Sequence, residues 1–238
     1  CKKIKGATMP DRHTFSEQMM SRRFMQLFVC IMLMLFLQAA LKPSLFLAGV
    51  AALLYLNLML VAVSGTQAGR RARMAIFLVW FACALSRVLV AREYSLELYL
   101  VSKTITALLL GMGVFHILRL ILTRERVTTD TLFASVVVYV LTALLFANLY
   151  AIADAAIANS LTYPDHFMKV DGHLGEVAYT YFSFVTIATL GYGDVLPAVP
   201  LTQMMVSMQA VIGQFYVAVL IARLVGLHTS VRSGSSES

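Results

Sequence analysis

Long apolar runs alternate with short polar segments along almost the whole chain. Each run is close to or above the roughly 20 residues that a helix needs to cross the hydrocarbon core of a bilayer. The pattern predicts six transmembrane helices, at residues 24–41, 45–64, 74–91, 96–122, 132–153 and 201–227. Residues 155–200 are too mixed to span, and within them 176–188 predicts a short re-entrant helix followed by a loop. The predicted fold class is therefore an all-α membrane protein.

Composition excludes a soluble domain. The 238 residues are 60% hydrophobic and 13% charged, with a mean hydropathy of +0.80. Cys1, Cys30 and Cys83 have no paired spacing, so neither a disulfide nor a metal framework is predicted. The basic pI of about 9.5 is accounted for by segments that face anionic lipid, and no nucleic-acid partner is expected.

Charge placement predicts the orientation in the membrane. Basic residues concentrate before the first span, after the second (Arg70 to Arg73) and after the fourth (Arg124 and Arg126). By the positive-inside rule, both termini are expected in the cytoplasm of a multi-pass plasma-membrane protein. The opposite side has an acidic surplus, which would concentrate cations there. Its acidic residues are Asp154, Asp165, Asp171, Glu176 and Asp194.

Between the re-entrant helix and the last span lies the glycine loop, residues 189–194, with the sequence Thr-Leu-Gly-Tyr-Gly-Asp. Gly191 and Gly193 alternate with Leu190 and Tyr192. Glycine tolerates positive φ, so successive carbonyl groups of such a loop can all turn toward one axis. Carbonyl oxygens placed this way replace the hydration shell of a dehydrated cation, and the Thr189 hydroxyl would add a further ring. A lone Gly-x-Gly is a common turn, but here the surrounding residues also fit a loop that lines a pore.

Residues 179–227 resemble the pore domain of tetrameric potassium channels. The resemblance rests on the glycine loop, on the preceding residues 181–188, on Pro197 and on Gly213 in the last span. It implies a homotetramer around a central pore, with Gly213 as an inner-helix hinge and Asp194 at the outer mouth. The residues expected to coordinate K⁺ are Thr189, Leu190, Gly191, Tyr192 and Gly193. The residues expected to support this filter are Tyr181, Phe182, Val185 and Thr186.

Two residues depart from the family pattern around the filter. Leu190 replaces the commoner valine, but its carbonyl still serves. Phe182 stands where many relatives have tryptophan, so it cannot donate a hydrogen bond to Tyr192, and Tyr181 could reach Asp194 instead. In the last span, Gln209 shares a face with Gly213 and could contact either the cavity or neighbouring helices.

Residues 24–122 resemble the four-helix voltage-sensor region of such channels, but they lack its charges. The fourth span has Lys103 and then no basic residue until Arg119. One charge that crosses 100 mV contributes about 2.3 kcal/mol, so four copies of Lys103 would supply roughly 9 kcal/mol. Strong voltage gating is therefore not expected. Lys103 is expected to snorkel toward the outer interface.

The predicted organisation has five parts. They are a cytoplasmic segment (1–23), the four-helix region (24–122), a short linker (123–130), the pore domain (131–227) and a flexible tail (228–238). Such a tail is too short for a cytoplasmic ligand-binding domain.

The predicted function is passive, potassium-selective conduction, and the alternative is a weakly selective or non-selective monovalent cation channel. A single copy of the loop requires several chains to enclose an ion. An uptake transporter would have four degenerate copies of the loop in one chain. An intramembrane enzyme would need a catalytic pair at depth, and the sequence shows none, so no enzymatic activity is expected.

Overall fold

A computed structural model describes residues 23–41, 49, 70–92, 95–123, 129–164, 167, 169–170 and 173–233. It is mostly helical. The helices are α1 (Arg23–Ala40), α2 (Arg70–Arg92), α3 (Leu96–Thr123), α4 (Thr129–Ala156), α5 (Glu176–Ile187) and α6 (Pro200–Ser233). The short strands are β1 (Leu161–Thr162), β2 (Lys169–Val170), β3 (His173–Leu174) and β4 (Leu196–Pro197). Apart from Gly49, the predicted span at 45–64 lies outside the described residues.

Within the described residues, three helices are long and apolar enough to cross a membrane: Leu96–Thr123, Asp130–Ala156 and Pro200–Arg223. Shorter apolar helices cover Phe24–Ala40 and Phe81–Val90. The chain is therefore a helical membrane protein. Three helices extend well beyond their predicted bounds: α4 covers 129–156 where 132–153 was predicted, and the other two are α2 and α6. α2 begins at Arg70, so the basic cluster predicted in a loop forms its first turn, since arginine and alanine favour helices. α6 continues to Ser233 through residues 228–233, where a tail was predicted, because extending a helix is easier than starting one.

The three helices that precede α4, here called the outer helices (α1 to α3), pack on α4 or on one another within the chain. α3 lies along α4, α1 also packs against α4, and α2 packs against α3. Their shared core contains Leu27 of α1, Cys83 of α2, Leu110 of α3 and Val137 and Leu141 of α4.

A hydrogen bond also joins the ends of α1 and α4. The backbone amide of Phe24 donates to Asp130 Oδ1 (3.3 Å). Asp130 lies in the first turn of α4, and its carboxylate satisfies a donor at the positive end of α1.

The short helix α5 packs against both α4 and α6. A second core surrounds it and includes Phe146, Tyr150, Tyr179, Phe182 and Val195. β1 pairs antiparallel with β4, with Leu161 opposite Pro197, and so joins the end of α4 to the segment before α6. β2 and β3 form a separate antiparallel pair. Pairs of two residues are too short to show the alternation that predicts strands, so no pattern in the sequence indicates them.

Candidate functional site

The glycine loop begins in the turn that ends α5. Leu190 N–H donates to Val185 O (2.9 Å), and Thr189 N–H donates to Thr186 O (2.9 Å). These two bonds are those of a Schellman motif, in which a left-handed residue, usually glycine, follows the helix. Here Thr189 occupies that position, with φ of 56°. A β-branched residue with positive φ is strained, so a special requirement has placed threonine there.

The sign of φ alternates along the glycine loop. Thr189, Gly191 and Gly193 have φ of 56°, 58° and 76°, whereas Leu190 and Tyr192 are not among the residues with positive φ. A Cβ added at Gly191 or Gly193 would meet no atom within 4 Å in the single chain. Glycine is therefore required by the backbone conformation and not by lack of space. Residues 189–193 are exposed in the single chain.

The carbonyl group at the end of α5 is held from both neighbouring helices. Tyr139 of α4 donates its hydroxyl to Ile187 O (3.0 Å). A Cβ built on Gly213 of α6 would lie 2.6 Å from that same oxygen and 2.7 Å from Ile187 Cγ1. Helix α6 runs unbroken through Gly213. The visible role of this glycine is close approach, and its predicted role as a hinge stays a prediction.

A buried polar network joins α4, α5 and α6 behind the glycine loop. Gln209 is 0% exposed. Its Nε2 donates to Ser183 Oγ (2.7 Å) and to Ser183 O (3.1 Å), while its Oε1 accepts from the Tyr150 hydroxyl (2.6 Å). Ser183 Oγ in turn donates to Ala143 O (2.6 Å). Of the two positions that the sequence left open for Gln209, the structure shows the one against neighbouring helices.

Tyr181 holds the outer side of the glycine loop. Its hydroxyl donates to Asp194 Oδ2 (2.5 Å), as the sequence suggested, and this bond raises the pKa of Tyr181 to about 12. Its ring stacks on Tyr192, with centroids 6.4 Å apart. Asp194 Oδ1 also accepts from Val195 N–H (2.9 Å). The carboxylate is thereby held at the end of the glycine loop.

The other predicted support residues form the buried face of α5. Phe182, Val185 and Thr186 are all buried. The Phe182 ring packs 4.9 Å from the ring of Tyr150. Thr186 donates its hydroxyl to Phe182 O (2.8 Å) and so adds no bond to the glycine loop through its side chain.

Of the acidic residues predicted at the outer mouth, the three that the structure describes all form bonds within the chain. Asp154 is buried and accepts hydrogen bonds from the hydroxyls of Tyr179 (2.6 Å) and Ser160 (3.1 Å). Its interpretation as an exposed charge is wrong, because Ser160, six residues later, and Tyr179, 25 residues later, both donate to its carboxylate. Asp165 and Asp171 lie outside the described residues.

The predicted position of the Lys103 side chain is wrong. Lys103 does not snorkel to the interface: its side chain is 6% exposed and forms an ion pair with Glu176, the first residue of α5. The Tyr99 ring lies 5.4 Å from its Nζ. The Glu176 side chain is 52% exposed, and the charges of Lys103 and Arg87, which outweigh desolvation, hold its pKa below its ordinary value. The first three spans offered no acidic partner, and the partner comes from 73 residues further along the chain.

One family comparison bears on this arrangement. Residues 167–229 match a family model described as an ion channel. The match contains α5, the glycine loop and most of α6, so the region that the geometry singles out is the region that is similar to ion channels. No curated protein and no solved structure matches the chain.

Proposed function

We propose that the protein is a potassium-selective channel that conducts K⁺ passively through residues 189–193. The alternating sign of φ in the glycine loop carries this proposal, because it lets consecutive carbonyl groups turn to one side. In the proposed filter, K⁺ would be coordinated by the carbonyl oxygens of Thr189, Leu190, Gly191, Tyr192 and Gly193, with the Thr189 hydroxyl at the inner end. Asp194 would lie at the outer mouth.

Four copies of the chain would form one conduit. A single loop cannot surround an ion, and a closed ring of identical subunits supplies the missing sides. The surface of α6 favours this assembly. Only 11% of the apolar stretch of α6 is buried in the single chain, whereas 56% of that of α4 is buried. Large apolar side chains project from α6, among them Leu201, Met204, Met208, Val211 and Phe215. Neighbouring subunits would cover part of this surface.

Lipid would surround the outer helices. Val101, Leu108, Phe115 and Leu122 are exposed at intervals of seven residues on α3. Val29, Leu33 and Phe36 are exposed on α1. In the proposed arrangement these stripes face the hydrocarbon of the plasma membrane, with both termini in the cytoplasm. The ion pair of Lys103 with Glu176 supports weak voltage dependence, because a charge held by a fixed partner does not travel across the field.

Purified protein in planar bilayers tests the proposal. The two sides of the bilayer contain K⁺ and Na⁺, respectively, at the same concentration. A selective filter then gives a reversal potential far from zero, with the sign set by the K⁺ gradient. The alternative, a weakly selective cation channel, gives a reversal potential close to zero. Absence of any cation current from the reconstituted oligomer would contradict both.

Thr189 offers a test of the filter chemistry. Replacing it by glycine relieves left-handed strain of about 1–2 kcal/mol per subunit but removes a hydroxyl that would coordinate the ion. We therefore expect Thr189→Gly to raise or preserve the unfolding temperature of the oligomer while it lowers the K⁺ to Na⁺ permeability ratio.

Thr189→Ser is the matched control, since it keeps the hydroxyl and should keep the selectivity. Equal selectivity of the glycine and serine variants would show that the hydroxyl does not contact the ion.

A further inference from the structure

The ion pair between Lys103 and Glu176 joins two parts of the chain that otherwise pack mainly on α4. Lys103 lies about two turns inside α3. Glu176 is the first residue of α5, where Gly175 is the N-cap and makes no side-chain capping bond. The carboxylate therefore faces two positive neighbours: the ammonium of Lys103 and the amino-terminal dipole of its own helix.

Lys103 depends on Glu176 as its counter-ion, and the Glu176 side chain is itself half exposed. Lys103 is buried, and a buried ammonium is costly unless an opposite charge compensates it. Arg87 adds a second positive charge, which attracts Glu176 and repels Lys103, so it increases the need for the carboxylate. The Tyr99 ring offers its face at 5.4 Å from Lys103 Nζ. Glu176 is thus the counter-ion of a small cationic cluster formed by Arg87 and Lys103.

Helix α5 connects this cluster to the glycine loop. Its 12 residues form a rigid rod about 18 Å long. The far end of the rod is the Schellman turn that begins the glycine loop, where Tyr139 and Gly213 contact Ile187. A shift or tilt at Glu176 is therefore passed to the residues that would coordinate the ion.

We propose that Lys103 is a positioning residue of the filter: its ion pair with Glu176 fixes the outer end of α5 and so sets the fraction of time for which the filter conducts. This inference rests on the proposed channel function. It assigns to the outer helices a static role, in which a charge acts by holding the filter support and not by moving in the membrane field.

Single-channel recording of the full-length oligomer tests the inference. Lys103→Gln and Glu176→Gln each remove one partner, and we expect the open probability to fall about tenfold or more in each. The single-channel conductance and the permeability ratio should stay as in the wild type, because the filter residues are unchanged. The slope of the conductance–voltage relation should also stay unchanged in Lys103→Gln, whereas loss of a gating charge would alter it.

The charge exchange Lys103→Glu with Glu176→Lys is the decisive rescue. We expect it to restore the open probability to within about fivefold of the wild type. The rescue is partial because a lysine at the amino terminus of α5 opposes the helix dipole. An exchanged pair that stays as impaired as the single variants overturns the proposal.

Glu97→Gln is the matched control, because Glu97 lies in the first turn of α3, the helix that contains Lys103, and is exposed. It should leave the open probability unchanged, and a decrease equal to that of Glu176→Gln would overturn the assignment to the pair. If the single variants do not assemble, the double variant Lys103→Met with Glu176→Leu replaces the charges by apolar groups of similar volume, which proteins often tolerate. Wild-type open probability in that variant overturns the proposal.

The outcomes for the two proposals differ. A wild-type oligomer without K⁺-selective current removes the channel function itself. If the wild type conducts K⁺ selectively and Glu176→Gln has the same open probability, only the proposed role of the ion pair is overturned.

Discussion

Replacing Gly213 by alanine should abolish potassium conduction and destabilise the oligomer, whereas the same change at Gly111 should do neither. The new Cβ would lie 2.6 Å from Ile187 O, a backbone atom that cannot move without shifting the start of the glycine loop. Overpacking of this kind costs about 1–3 kcal/mol per subunit, and it acts at the end of α5. Thermal unfolding of the oligomer and K⁺ flux into liposomes measure the two effects.

Gly111 of α3 is the matched control, because its added Cβ would meet nothing within 4 Å. Alanine there should be neutral or stabilising by up to about 1 kcal/mol, the usual gain over glycine in a helix interior. Comparison of the Gly213 and Gly111 variants also distinguishes two roles of Gly213, close approach to Ile187 and a hinge. A hinge at Gly213 predicts altered opening with unchanged unfolding temperature, whereas close approach predicts that both fall together.

Replacing Gln209 by leucine should cause a comparable loss of stability. The change leaves Tyr150 and Ser183 without a partner that the structure gives them, in a site where Gln209 is 0% exposed. Each buried polar group left unsatisfied costs about 1–3 kcal/mol. We expect a markedly lower unfolding temperature and, because Ser183 belongs to α5, a lower K⁺ to Na⁺ permeability ratio.

Gln203→Leu is the control, since Gln203 lies on the same helix and is exposed in the single chain. Its effect should stay within about 0.5 kcal/mol, as for most surface substitutions. A double-mutant cycle with Tyr150→Phe gives a second reading, and the double variant should lose much less than the sum of the two single variants. Additive losses would show that the hydrogen bond between Tyr150 and Gln209 does not contribute.

Much of the helical layout follows from the sequence, because the bilayer imposes a local constraint. A segment that crosses hydrocarbon must be apolar over its whole length and must satisfy its own backbone. α1, α3 and α5 therefore begin and end within a residue or so of their predicted bounds. The positive φ values of Gly191 and Gly193 follow equally from local chemistry.

The remaining features of the site depend on contacts between distant residues, and no local pattern contains them. Periodicity placed Gln209 and Gly213 on one face, but it could not identify Ser183 and Ile187 as their neighbours. The sequence places Lys103 at the interface because the first three spans contain no Asp or Glu, and its partner follows 73 residues later. The positive φ of Thr189 could not be predicted, because a β-branched residue rarely adopts a left-handed conformation.

The bond between the Phe24 amide and Asp130 has a consequence for how the chain could be divided. α1 starts on the first turn of α4, and its Leu27 lies in the same core as Val137 and Leu141. Truncation to residues 131–227 would strip this flank and leave lipid as its only replacement, which is as apolar as leucine but cannot reproduce its fitted packing. The outer helices therefore stabilise the half of the chain that contains α4, the glycine loop and α6, and they are not a detachable accessory.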